Sequence, residues 1–325
     1  MIRRIIEYIV RKIWIFGYLI SKKRSYSLFK KFYNNNDILI NQEEQCIIYM
    51  ADGKRIHGGL SDRLWGIVSL FNYCSENDIQ FKINFVFPFQ LNDFLIPNKY
   101  DWTLKQSSDI VYNKKVAEPV FILNVMDDPQ KKITNYCLKS SKKQIHVYTT
   151  MRYKKELFYE SFHTLFKPVP LLQEHISEHL QQIGNNYVSI TFRFQQLLGD
   201  FKERNFPVLS EKKQEDFMER CLSVIPSIKK TIPESQRILI TSDSGRFLEK
   251  AIMYDYVYIV PGERSHPDYS SNTNNEEYLK SFIDMFLISN AQKIYFVHST
   301  ITYKSKFAET SAFIGNKPYE VIKID

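Results

Sequence analysis

Between residues 187 and 324, apolar runs of strand length alternate with helical stretches, which leaves few folds open. Strands are expected at Tyr187–Phe194, Arg237–Thr241, Val257–Val260, Lys293–Val297 and Tyr319–Ile324. Helices are expected between them at Ser210–Ile225, with Ser210 as N-cap, and at Ser244–Met253, Glu276–Asn290 and Tyr303–Ile314. Strands joined through helices run parallel, because the crossover returns the chain to the same end of the sheet. The expected class is α/β with a doubly wound sheet. In the first of these strands Val188, Ile190, Phe192 and Phe194 face one way; Ser189, Thr191 and Arg193 face the other.

The first half is less regular. Gln45–Ala51 reads as a strand, followed by a loop with Gly53 and the tandem pair Gly58-Gly59. Leu60–Asn77 follows as a helix with Leu64, Ile67, Val68 and Phe71 on one stripe. Strands are expected at Phe81–Phe87, Pro119–Val125 and Ile145–Thr150, then helices at Tyr153–Phe166 and Leu171–Ile183. The break Lys167-Pro168-Val169-Pro170 marks a candidate boundary, which gives domains at 45–168 and 169–325 after an N-terminal segment 1–31.

The formal net charge of +8 suggests a nucleic-acid partner until it is located. Residues 1–31 hold nine basic side chains against Glu7 alone, and the rest of the chain is formally neutral. A nucleic-acid protein carries its basic face on the folded body, so that partner class is not expected. In the segment, Ile2, Ile5, Ile6, Ile9, Ile13, Trp14 and Phe16 recur at helical spacing, and the longest uncharged run, Ile13–Ile20, is far short of the roughly 20 residues of a membrane span. The expectation is a basic amphipathic helix on an anionic inner-membrane surface; the alternative is a terminal helix packed on its own domain. Cys46, Cys74, Cys137 and Cys221 stand far apart without His at ligand spacing, and no Asn-x-Ser/Thr sequon occurs. Buried reduced thiols in a cytoplasmic, peripheral protein are expected.

In open α/β sheets, ligands bind beyond the carboxyl ends of the strands. Arg193 with Gly199-Asp200 follows one predicted strand, Thr241-Ser242-Asp243-Ser244 the next, and His298-Ser299-Thr300 a third. A guanidinium, a Ser/Asp cluster and a hydroxyl-rich helix start would together suit a phosphate-bearing ligand. Gly58-Gly59 allows a close backbone approach from the other half, and fits neither a dinucleotide nor a Walker loop.

Those same residues carry a family resemblance. Gly58-Gly59-Leu60-Ser61-Asp62-Arg63-Leu64 resembles the Gly-Gly-Leu-Gly-Asn-Gln-Leu segment of α-1,2-fucosyltransferases. Val188–Arg193 with Gly199-Asp200 is similar to their His-x-Arg-x-Gly-Asp motif, and Ser242-Asp243 to a downstream Ser-Asp segment. Asp284-Met285-Phe286-Leu287-Ile288-Ser289 leading to Ser299-Thr300 resembles their Asp-Met-x-Leu-Met-Ser and Ser-Thr-Phe-Ser elements. The likeness extends more loosely to the α-1,6- and protein O-fucosyltransferases.

The resemblance implies a GT-B-like fold of two Rossmann-like domains facing a crevice, with a GDP-sugar on the carboxyl-terminal one and the acceptor on the other. It implies an inverting, metal-independent glycosyltransferase moving fucose or a related sugar to a glycan or lipid-linked glycan in surface polysaccharide or lipopolysaccharide assembly, with no cofactor. Arg193 would neutralise the departing diphosphate, and Ser299 and Thr300 would contact phosphate. Gly58, Gly59, Arg63, Ser242, Asp243 and Asp284 match donor-side motif positions, and Asp62 and Asp200 are the candidate bases. The absence of an Asp-x-Asp pair agrees, Asp127-Asp128 being adjacent. Thr191 stands for the motif histidine, five residues separate Arg193 from Gly199, and Ser61-Asp62-Arg63 replaces Gly-Asn-Gln. These departures motivate an alternative, a catalytically silent glycan- or nucleotide-binding protein of the same fold. On the helical phasing of 276–290, Asp284 faces the polar side beside Lys280.

Overall fold

The computed structural model describes residues 30–34, 44–55, 58–105, 109–122, 140–200, 207–262 and 275–324. The basic segment up to residue 29, Cys137 and the Asp127-Asp128 pair lie outside them. In chain order the strands are β1 (Cys46–Ala51), β2 (Gln80–Phe85), β3 (Leu95–Pro97), β4 (Ala117–Ile122), β5 (Gln144–Thr149), β6 (Phe166–Pro168), β7 (Tyr187–Phe192), β8 (Arg237–Ser242), β9 (Val257–Tyr258), β10 (Ile294–His298) and β11 (Tyr319–Lys323). The helices are α1 (Leu60–Glu76), α2 (Phe158–Leu165), α3 (Pro170–Ile183), α4 (Glu211–Lys229), α5 (Gly245–Ala251), α6 (Asn275–Asn290) and α7 (Phe307–Gly315).

Two sheets organise them: β2-β1-β5-β4 in the first half and β11-β10-β7-β8-β9 in the second. Every pairing within each is parallel. This is the doubly wound α/β arrangement repeated twice, the pair of Rossmann-like units expected of a GT-B-like fold. The first two residues of the expected break, Lys167-Pro168, belong instead to a strand, β6, that pairs antiparallel with β3.

Both faces of a parallel sheet are covered, which changes how its residues read. All of β7 is buried, so its polar face is an interior one: Thr191 spends its hydroxyl on Thr241, at 2.8 Å. The strand ends at Phe192 and leaves Arg193 as the first residue beyond it. Helix α1 is buried from Leu60 to Cys74 except at Asp62, not along one stripe, because it contacts its own sheet, α2 and α7 at once. Ser210 takes the N-cap position of α4 but contributes its carbonyl, which accepts from Gln214 N at 2.9 Å, and no side-chain bond.

One apolar cluster passes from Ile47 and Leu64 through Phe158 and Phe162 to Phe282, Phe286 and Ala308, so the two sheets share a core. Phe94 stacks on Phe282 at 4.7 Å across it, and Trp65 donates to Thr310 Oγ1 at 3.1 Å. Separate clusters lie on the far faces, one of β7, β8, α4 and α5 and one around Ile48, Met50 and Tyr33. Cys46, Cys74 and Cys221 are buried free thiols. Among the described residues no helix is long and apolar enough to cross a membrane.

Candidate functional site

The registers Phe192↔Ser242 and Phe192↔Val297 bring Arg193, Asp243 and His298 off three neighbouring strands at one level. Arg193 Nη1 meets Asp243 Oδ2 at 2.8 Å, and the Asp243 side chain is only 2% exposed. The same carboxylate accepts the backbone N–H groups of Phe194 (2.8 Å) and Gln195 (2.7 Å). Gln195 holds a left-handed φ of 54° and is buried, so the turn after β7 is folded onto the Asp243 carboxylate. A guanidinium has five donors in a rigid fork. An anion that orients one corner of it also directs the others.

Asp200 follows Gly199, whose φ of 81° only glycine adopts without strain. Its Oδ2 accepts from Ser244 Oγ (2.7 Å) and Arg246 N (3.0 Å), placing the charge on the first turn of α5. Ser244 Oγ in turn accepts from Phe247 N, and Ser242 Oγ from Ser244 N, each at 3.1 Å. Arg193, Asp200, Ser242 and Asp243 are therefore neighbours in one network at the carboxyl edge of β7 and β8. Arg246, which sequence reasoning passed over, completes it by donating to Leu198 O and Gln214 Oε1.

Two expectations are corrected. Helix α7 begins at Phe307, so Ser299 and Thr300 sit in a turn and not at a helix start. Ser299 N donates to Thr302 Oγ1 at 2.9 Å and is buried, while Thr300 is exposed. Asp284 is not on a polar side. It is 1% exposed in α6 and pairs with Lys280, 5% exposed, at 3.1 Å. Helix α6 packs against α3 and α7 and has hardly a solvent face at its centre, so no phasing could predict one.

The opposing half contributes the loop after β1. Gly58 has φ 80°, and a Cβ there would stand 2.8 Å from the Asp62 carboxylate, which folds back over it. Gly59 is the N-cap of α1. Arg63 is buried with Nε donating to Gly58 O (3.1 Å) and Nη1 to Phe87 O (2.9 Å), over the Phe85 ring. It clasps the loops after β1 and β2 together.

A second polar cluster on this half was missed. Asp52 directly follows β1, and its Oδ2 accepts from Tyr112 (2.7 Å), Tyr148 (3.0 Å) and Lys54 Nζ (2.9 Å). Burial works to raise the Asp52 carboxyl, but the hydrogen bonds from Tyr112 and Lys54 and the Lys54 charge hold it below the ordinary value. A charged residue at the carboxyl end of a fully apolar strand was the available signal. Among the described residues no group of His, Cys, Asp or Glu stands together as metal ligands.

No protein-family model matches the sequence, and no curated protein does. Solved structures similar to this one include NodZ α-1,6-fucosyltransferase soaked with GDP-fucose, at 13% identity, TM-score 0.57, and 87% and 96% coverage of this chain and that one; another NodZ structure, of the Bradyrhizobium protein, scores 0.55. A mutant of Arabidopsis thaliana FUT1 in complex with GDP matches at 13% identity, TM-score 0.54, and 93% and 74% coverage. POFUT1 in complex with GDP matches at 9% identity, TM-score 0.52, and 88% and 100% coverage. At these identities the likeness defines the fold. It does not single out the α-1,2 type to which the motifs are similar.

Proposed function

We propose that the chain is an inverting glycosyltransferase that moves fucose, or a related sugar, from a GDP-sugar to a glycan hydroxyl without a metal or cofactor. The observation that carries this is the Arg193–Asp243 pair at the carboxyl edge of the second sheet, in a fold whose solved neighbours hold GDP or GDP-fucose. As the bond to the sugar lengthens, charge grows on the diphosphate, and a guanidinium fixed in advance stabilises that charge without reorganising. Ser242, Ser299 and Thr300 supply hydroxyls on the same edge. Asp284 stays in the proposed donor set through its partner Lys280, whose stem lies against Gly262 in the loop after β9, 3.1 Å from where a Cβ would stand.

Asp62 and Asp200 are the acids proposed for the acceptor proton, which leaves late and needs no strong base. Asp62 stands on the first turn of α1 with its carboxylate against Gly58, and Asp200 accepts two donors at α5. Gly58, Gly59 and Arg63 shape the loop beside it. The acceptor is taken as a lipid-linked glycan in surface polysaccharide assembly at the inner membrane, with residues 1–31 on the anionic surface and the body in the cytoplasm. That part rests on the location of the positive charge.

Calorimetry with GDP, UDP and CMP tests the donor, and GDP is expected to bind most tightly. Arg193→Ala should weaken GDP by roughly 10²-fold, the worth of a charge-assisted phosphate contact, and Arg193→Lys should recover only part. Equal binding of the three nucleotides would remove the donor assignment; unchanged GDP affinity in Arg193→Ala would move the site elsewhere. The buried Thr191–Thr241 bond leaves no acid or base at the motif histidine's place, which favours the silent binding protein as second reading. Slow GDP-fucose hydrolysis lost in Arg193→Ala would exclude it.

A further inference from the structure

At the carboxyl ends of β1 and β2, along the β2 edge of the first sheet, lies a cavity of about 460 Å³. Asp52, Lys54, Asn84, Gln90, Asn92 and Thr103 line it, over an apolar floor that includes Ile83, Leu104 and Ile110. The volume falls within the roughly 300–1,000 Å³ of small-molecule sites. We infer that this cavity binds a neutral sugar unit, the acceptor end of a glycan; the role as acceptor rests on the transferase reading above.

The charges argue against an anion. Asp52 already holds Lys54 at 2.9 Å, with that ammonium also 4.0 Å from the Tyr112 ring, so the two charges cancel inside the cavity. The remaining cation on the lining is the exposed Lys105. What remains is amide and hydroxyl chemistry. Asn84 is 5% exposed, and its amide nitrogen is directed to Met50 Sδ (3.8 Å) and the Tyr112 hydroxyl. Its amide oxygen accepts no hydrogen bond from any described residue, which leaves an acceptor on the cavity wall. The exposed side-chain amides of Gln90 and Asn92 on the rim likewise bond to no described residue. Planar amides beside apolar surface match the mixed faces of a sugar ring, whose hydroxyls would donate to Asn84 Oδ1 and accept from the rim.

The full chain labelled with [13C]methyl-methionine reports on the site, because Met50 touches Asn84 and is one of seven methionines. Glucose, galactose, mannose, N-acetylglucosamine, lactose and cellobiose are the probes, with inorganic phosphate as the anion control. At least one saccharide should shift the Met50 methyl saturably, and Asn84→Leu should weaken that binding tenfold or more. Gln90→Ala, at an exposed position that cannot unfold the core, should weaken it several-fold. No saccharide shift, a phosphate shift equal to the sugars', or wild-type binding in both variants would each overturn the proposal. GDP calorimetry on the same sample separates the two readings. GDP binding without a saccharide shift overturns the cavity alone, whereas a saccharide shift without GDP binding leaves the cavity standing and removes the acceptor role.

Discussion

His146 has its tautomer fixed by its neighbours. Gln144 donates its amide N–H to Asp109 O (2.6 Å), so its Oε1 is the atom that accepts from Val111 N (3.0 Å) and from His146 Nε2 (3.0 Å). His146 Nδ1 is therefore an acceptor and takes the Tyr33 hydroxyl at 2.7 Å. A proton on Nδ1 would break that bond, and burial already pushes the imidazole down to about 3. A base with a depressed folded pKa is protonated first in the unfolded chain. Its contribution to stability is therefore complete above the ordinary value near 6.5 and is lost as pH falls toward the folded value, by about 1.4 kcal/mol per unit. Asp52, held low, is lost further into acid, so between pH 7 and 5 the slope belongs largely to His146, with the part-exposed His179 adding to it. Urea midpoints at pH 7 and pH 5 should converge in His146→Gln and separate in the wild type.

At the scale of elements, contacts of backbone on backbone set the tightest tolerances. Gly66 crosses β5 so closely that a Cβ would stand 2.2 Å from Thr149 O. Neither partner is a flexible side chain, so α1 must shift, and Gly66→Ala should cost about 3 kcal/mol or more by chemical denaturation. The Lys280–Asp284 pair follows a different logic. Removing one partner strands a buried charge, at about 3–5 kcal/mol for Asp284→Leu alone, whereas Lys280→Met with Asp284→Leu should restore most of the loss. These details mark the limit of what the sequence discloses. Strand and helix order was legible from 187 onward because each parallel strand is a short apolar run between helices. That Arg193, Ser242 and Asp243 end their strands was legible too, but their common level comes from the pairing of β7 with β8, which the order along the chain does not fix. Burial of Asp284 and of the whole of α1 was illegible, because periodicity measures one face and these helices have partners on several. The Asp52 cluster was illegible for another reason: Tyr112, Tyr148 and Lys54 come together only through strand order.

Across the whole molecule, the two sheets fold against a common interior. Phe89 and Phe94 from the first half pack on Tyr278 and Phe282 from the second, and α1 and α2 meet α7. At the edge of this contact Arg152 lies 4.5 Å over the Trp65 ring and reaches Glu309 at 2.8 Å, which also takes Lys306 at 3.0 Å. Domains linked by a flexible hinge bury a modest, polar interface and unfold separately. A shared aromatic core does the opposite, since opening it exposes both halves at once. The intact chain should therefore melt in one transition with matching calorimetric and van't Hoff enthalpies. GDP, if held by the second half alone, should still raise that single transition, by RT ln(1 + [GDP]/Kd). Chains cut at 168/169 carry the same strands and helices but should each lack a cooperative melt, because Phe94 and Phe282 are left facing water. Two resolved transitions in the intact chain, with GDP raising only the one that contains Arg193, would show that the common core contributes little and that each sheet is stable by itself.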